Sequence, residues 1–96
     1  MEKTYDILKR SKEFSIELVH YCETLKARKI DFYLRDQLIR SGTSIGANLH
    51  EAKSSSSRKE FCRFYEIALR SAHEADYWMS LVKELISLEK TEQINS

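Results

Sequence analysis

An all-α, up-and-down antiparallel helical bundle built from three long helices is the fold this sequence predicts, on three observations. The 96 residues include no proline and only two glycines, and 32% of them are charged, a composition that favours helices over an all-β chain. Along three long stretches apolar residues recur at alternating steps of four and three, the repeat of one helix face. Capping and turn-forming residues break that repeat around positions 28–31 and 54–57. A chain of this length makes a single domain, residues 1–96, whose small core leaves a large share of its surface in water.

The first helix is expected over about residues 4–27, with Thr4 as its N-cap. Its apolar seam is Ile7, Ser11, Phe14, Leu18, Tyr21 and Leu25, widened by Leu8, Ser15 and Cys22. Lys9, Lys12, Glu13, Glu17 and Glu23 lie mostly off that seam. Arg28, Lys29 and Ile30 form the break, and Asp31 is placed to cap the next helix. A turn this short makes the first two helices antiparallel neighbours.

The second helix is expected over about residues 32–53. Leu34, Leu38, Ser41, Ile45, Asn48 and Ala52 continue the helical repeat straight through Gly42 and Gly46. A loop is the alternative for so glycine- and hydroxyl-rich a stretch. In a helix interior each glycine costs about 1 kcal/mol relative to alanine, so the repeat implies a close backbone approach that offsets the loss. Ser41, Ser44 and Asn48, polar groups near an apolar seam, are then expected to hydrogen-bond between helices. Arg40 can pair with Asp36 one turn back. A hairpin folded about Ser55 and Ser56 also brings it near Glu74, so an Arg40–Glu74 ion pair, partly buried, is expected as well.

The serine run at 54–57 ends this helix, and Ser57 with Glu60 has capping-box spacing for the third, expected over about residues 58–87. Phe61, Tyr65, Ala68, Ala72, Ala75, Met79, Val82 and Ile86 form its stripe, broadened by Leu69, Trp78, Leu81 and Leu85 as a multi-helix bundle requires. Residues 88–96 read as a polar tail.

Arg40-Ser41-Gly42-Thr43-Ser44-Ile45-Gly46-Ala47-Asn48, with Glu51-Ala52, Ser57, Phe61, Ile67-Ala68-Leu69, Glu74 and Tyr77-Trp78, resembles the bacterial four-helix-bundle proteins also called 23S rRNA intervening-sequence proteins. It is similar, too, to the accessory proteins of diversity-generating retroelements. The likeness spans about residues 5–85. It implies a bundle fold, ring-like homo-oligomers that are pentamers in the family, and no catalytic activity, with nucleic acid as the partner suggested by the retroelement relatives. It also marks Arg40, Ser41, Gly42, Ser44, Gly46, Asn48, Glu51, Glu74 and Trp78 as a structural signature that serves packing. Family members continue into a fourth long helix, whereas residues 87–96 here are too few and too polar for one. The broad apolar stripes left uncovered are expected to be buried by oligomerisation.

Charge and composition exclude more than they select. A net charge of +1 and a pI near 7.8 give no global basic field. Cys22 and Cys62 lack metal spacing and read as reduced thiols in the core. The sequence opens without an apolar signal region, and no run reaches transmembrane length, so a cytoplasmic protein with no membrane partner is expected.

Catalytic constellations are incomplete. Glu17 and His20 form one Glu-x-x-His pair of the kind that builds di-metal sites, with Glu51 and Glu74 as possible further ligands. His50 and His73 follow Ala47 and Arg70 at the matching position, so the second pair is missing. No zincin motif, nucleophile elbow or phosphate-cradling loop is present. No catalytic residue, metal, cofactor or small-molecule substrate is therefore assigned.

The functional candidate follows from topology. In an up-down-up bundle the start of the first helix, the end of the second and the start of the third share one end. That end gathers Lys3, Lys9, Arg10, Lys12, Lys53, Arg58, Lys59 and Arg63 against Glu2, Asp6, Glu13, Glu51 and Glu60. Arg10, Lys53, Arg58, Lys59 and Arg63 are the candidate nucleic-acid contacts, since repeated cationic patches can track a phosphate backbone. Of the nearby aromatics, Tyr5, Phe61 and Phe64, the repeat assigns Phe61 to the core rather than to base stacking. The expected function is a non-enzymatic oligomer binding structured RNA; the alternative is a protein-interaction adaptor that receives a partner helix on an apolar groove.

Overall fold

The structure, a computed structural model, describes residues 6–95. Three helices follow one another, α1 (Ile7–Ala27), α2 (Phe32–Ser54) and α3 (Arg58–Asn95), and the described residues contain no strand. Thr4, expected to cap α1, lies outside the described residues. Asp6 does this work, its carboxylate accepting the Lys9 backbone N–H at 3.1 Å.

Both turns are built from side-chain and backbone caps. At the end of α1 the Ile30 N–H donates to the Leu25 carbonyl and the Lys29 N–H to the Lys26 carbonyl, both at 3.0 Å. This is the Schellman arrangement, with Lys29 taking the left-handed conformation (φ 65°) that glycine usually occupies. Ile30 then packs on the core beside Leu25, the apolar contact that accompanies such a cap. Asp31 caps α2 as expected, accepting the Tyr33 N–H at 2.7 Å. In the second turn the Ser57 hydroxyl accepts the Glu60 N–H at 3.1 Å, while Glu60 reaches one residue further back than a capping box requires, to the Ser56 N–H.

Residues 88–95 of the expected polar tail are instead the last part of α3, which runs on to Asn95, and Ser96 lies outside the described residues. The physical reason is local: Leu88, Glu89, Lys90, Glu92 and Gln93 are good helix formers and no glycine or proline interrupts them. Thr91 donates to the Ser87 carbonyl at 3.1 Å, and Glu89 pairs with Arg28 across the α1–α2 turn at 3.4 Å. A 38-residue helix is about 57 Å long at 1.5 Å per residue, which accounts for the 58 Å long axis of the molecule.

α2 lies between the other two. Opposing residues run antiparallel on both flanks, Ser11 against Gly46 and Phe14 and Leu18 against Gly42 on one, Ser44 against Ser71 on the other. No Cα of α1 comes within 8 Å of one of α3. The core forms where long side chains bridge that gap: Leu18, Cys22 and Leu25 from α1, Leu38 from α2 and Val82 from α3, sealed by Trp78, Met79 and Ile86. It therefore occupies the half of the molecule toward the α1–α2 turn.

Gly42 and Gly46 make the close approach the sequence implies, and they make it toward α1. A methyl at Gly42 would overlap Leu18 Cδ2, and one at Gly46 would lie 3.1 Å from Ser11 Oγ and 3.5 Å from the Ser11 carbonyl oxygen. The hydroxyl and amide groups behave differently from expectation. Ser41 donates to the Gln37 carbonyl at 2.8 Å, and Asn48 Nδ2 donates to the carbonyl and hydroxyl oxygens of Ser44, both at 2.9 Å, all inside α2. Among the described residues, only the Ser71 hydroxyl, donating to Ser44 Oγ at 2.9 Å, links two helices through this motif. A helical carbonyl has a second lone pair within reach of a residue one turn on, so a short polar side chain satisfies itself without a neighbouring helix.

Gly42→Ala is expected to destabilise the fold. Overpacking against buried Leu18 costs about 1–3 kcal/mol, and the better helix propensity of alanine recovers about 1. Urea unfolding of the two proteins checks the sign; a variant as stable as the parent means that Leu18 relaxes freely.

Candidate functional site

Where α1 and α3 stand apart beyond the core, a groove of about 850 Å³ opens at the end of the molecule. Ile7 and Leu8 of α1 form one wall, Leu49, Ala52 and Lys53 of α2 the floor, and Arg58, Phe61 and Tyr65 of α3 the other wall. Much of its polar lining is engaged in ending helices. Asp6 caps α1, Ser55 donates to the Ala52 carbonyl at 2.6 Å, and Ser57 caps α3. Of the lining residues, Lys53 and Arg58 are cationic and exposed.

Phe61 was expected in the core and is not there. It is 45% exposed and Tyr65 51%, with their rings nearly parallel (10°) and centroids 6.0 Å apart. The apolar repeat places these two side chains beside Leu49 and Ala52 of α2, but no backbone of α1 packs against α3 and they stay uncovered. They line the groove on one side and, on the other, a shallow hollow that also holds Lys59, Arg63, Glu66 and Leu69. The Arg63 guanidinium lies 5.2 Å from the centre of the Phe64 ring.

Four of the five expected basic contacts thus surround the aromatic pair, Lys53 and Arg58 on the groove side and Lys59 and Arg63 on the hollow side. Arg10 does not join them. It lies on the α1–α2 flank, beside Ile7, Phe14, Ile45 and Leu49. Lys3 and Glu2 lie outside the described residues. Charge alone does not single out this end. Residues 6–13, 51–54 and 58–63 carry seven cations and four carboxylates, while the opposite end, residues 24–35 and 83–95, carries six and four. At that opposite end Arg28 pairs with Glu89, and Arg35 donates to the Ile30 carbonyl at 2.9 Å while lying over Phe32. The groove and its aromatic wall distinguish the first end.

The signature residues fall elsewhere, Gly42 and Gly46 against α1 and Arg40, Ser44, Glu74 and Trp78 on the α2–α3 side. Asp36, Arg40, Ser44, Ser71 and Glu74 border a polar hollow there. The expected Arg40–Glu74 ion pair is not made. Arg40 Nε donates to Asp36 Oδ2 at 2.9 Å, and Glu74 accepts from Trp78 Nε1 at 3.3 Å. Both acids sit one helical turn from their partners, so each pair forms locally in preference to spanning the hollow. Trp78 also meets Tyr33 edge-to-face at 6.0 Å, tying the start of α2 to α3. Glu51 is exposed. Among the described residues no three His, Cys, Asp or Glu side chains gather as a metal cluster, and no helix is long and apolar enough to cross a membrane.

The chain matches 23S rRNA-intervening sequence protein over residues 3–96. It belongs to that family. Its fold is similar to a crystal structure of a protein with unknown function from the S23 ribosomal protein family of Bacteroides thetaiotaomicron VPI-5482. That protein is 38% identical, with a TM-score of 0.79, over 94% of this chain and 85% of that one. No curated protein matches.

The two thiols of this family member differ. Cys22 is buried as expected, but Cys62 is exposed, because it sits one position past Phe61 on the outer surface of α3. Burial pushes the Cys22 thiol above its ordinary value of 9.0; Arg35 opposes the rise and Glu23 adds to it. The folded state therefore favours the neutral thiol. That contribution is intact below pH 9.0 and is lost as pH rises past it, because the unfolded chain ionises first. Iodoacetamide in native buffer is expected to modify Cys62 and spare Cys22, as read by mass spectrometry. Between pH 8 and 10, Cys22→Ala is expected to lose less stability than the parent. A double-mutant cycle is also expected to give coupling near zero for Arg40–Glu74 and about 0.3–0.5 kcal/mol for Arg40–Asp36.

Proposed function

We propose that this protein is a non-enzymatic nucleic-acid-binding member of its family, acting as a homo-oligomer on structured RNA through the grooved end. The observation that carries this reading is the set of exposed cations around one open groove. Lys53, Arg58 and Lys59 have no ion-pair partner among the described residues, and two carboxylates at this end, Asp6 and Glu60, are engaged in helix caps. Such cations are positioned to displace counterions from phosphates. The family description names an intervening sequence of 23S rRNA, which is consistent with an RNA partner without specifying one.

Self-assembly is supported by area. The chain exposes 7277 Å², against about 5,700 Å² for a compact monomer of its mass. Its radius of gyration is 16.4 Å, against about 12.5 Å for a compact domain of this length. The excess, about 1,500 Å², is close to what a ring subunit buries in two interfaces of about 800 Å² each. A ring would repeat the basic groove around an axis, and the pentamers of the resembling family fit this. A second reading is favoured by the apolar part of the groove, Ile7, Leu8, Leu49 and Ala52, which could seat a helix of a partner protein.

Fluorescence anisotropy with structured RNA and duplex DNA across a salt series separates the two. For the nucleic-acid reading, affinity falls steeply with salt, and R58Q/K59Q/R63Q lowers the slope of log affinity against log salt by about 2–3. Absence of binding at low salt removes this reading and leaves the adaptor.

A further inference from the structure

We infer that Phe61 and Tyr65 form a stacking platform for unpaired nucleotides, so that this end selects loops and single strands over duplex; the inference rests on the nucleic-acid reading above. Two aromatic rings held nearly parallel and half in water are unusual for residues on the apolar face of a helix. Each ring borders two depressions, the groove and the outer hollow, so bases can approach the pair from either side. Cations stand on both sides as well, Lys53 and Arg58 on one and Lys59 and Arg63 on the other, while Glu66 is the one carboxylate in the outer hollow. Base faces against aromatics, with phosphates on flanking cations, is how proteins hold single strands.

Geometry argues against a duplex. The faces of paired bases are covered by their neighbours in the stack, and only an unpaired or terminal base can lay its face on a side chain. Residues four apart on a helix are offset by about 6 Å along its axis. Stacked bases in a duplex strand are offset by about 3.4 Å. Successive nucleotides can therefore use Phe61 and Tyr65 in turn only where the strand is pulled open. The groove, about 850 Å³, lies within the roughly 300–1,000 Å³ range of clefts that accept small organic ligands, so it has room for an extruded base.

The test compares an unpaired RNA strand, a hairpin with an unpaired loop and a blunt, fully paired RNA duplex by anisotropy, using the intact protein and F61L/Y65L, which keeps apolar bulk without π faces. The intact protein is expected to bind strand and loop at least about tenfold more tightly than duplex. The variant is expected to lose about tenfold per ring on the unpaired RNAs, with its salt slope unchanged because no phosphate contact is removed. A 2-aminopurine in the loop should be quenched on binding the intact protein, and this readout decides the matter alone if circular dichroism finds the variant unfolded. Equal or tighter duplex binding, an unaffected variant, or an unquenched loop overturns the platform while the salt slope still upholds phosphate contact. A variant that changes the sedimenting mass without changing RNA affinity also overturns it, and makes the pair a contact between copies of this chain. If the intact protein binds none of the three RNAs, the broader nucleic-acid reading fails as well.

Discussion

The rest of the structure depends on how thin α2 is. Gly42 and Gly46 let α1 approach until Ser11 and Leu18 touch the α2 surface. On the other flank Ser44 and Ser71 are small enough for their hydroxyls to meet. Two neighbouring helices at close distance are possible only because short side chains occupy both flanks, and bulk at either one would separate the layers. The penalty of glycine in a helix interior is offset by this packing, since stability here comes from tertiary contact more than from propensity.

Placing the thin helix in the middle has a consequence for the outer two. α1 and α3 pack on α2 rather than on each other, and only long side chains close the space between them. Toward the α1–α2 turn Leu18, Leu25, Trp78, Val82 and Ile86 do close it. Toward the other end α3 offers Phe61 and Tyr65, and α1 offers Ile7 and Leu8, which face one another across open space. One half of the molecule is therefore a core and the other a groove, although the same apolar repeat runs through both. Lys53, Arg58, Lys59 and Arg63 flank the groove because the residues ending α2 and starting α3 are polar, as helix ends and the turn between them must be.

The signature on α2 and the groove are separate features. The signature residues settle how helices meet: Gly42 and Gly46 against α1, Ser44 against α3, and Glu74 with Trp78 fastening α3 near Tyr33. None of them lines the groove. The glycines and serines of α2 are in this sense a packing motif, and the exposed aromatic pair lies on α3, on residues whose pattern resembles ordinary core. A signal was nonetheless present. Phe61 and Tyr65 are aromatic, four apart, and fall among Arg58, Lys59 and Arg63 within eight residues. Read as part of a long stripe, they took their environment from Ala68 and Ala75 further along, which are buried.

What the sequence determined by itself is local in origin. Helix periodicity, the absence of proline, Asp31, the serine run and the small residues of α2 specify three antiparallel helices and their turns, because each acts within about one helical turn of its position. The extension of α3 to Asn95 was equally local, written in good helix formers that polarity disguised as a tail. The tertiary structure alone decided what no single helix contains. It chose Asp36 over Glu74 for Arg40, left Ser41 and Asn48 satisfied within α2, and exposed Phe61 and Tyr65. Each of these depends on the distance between two helices, and that distance is set by every side chain packed between them.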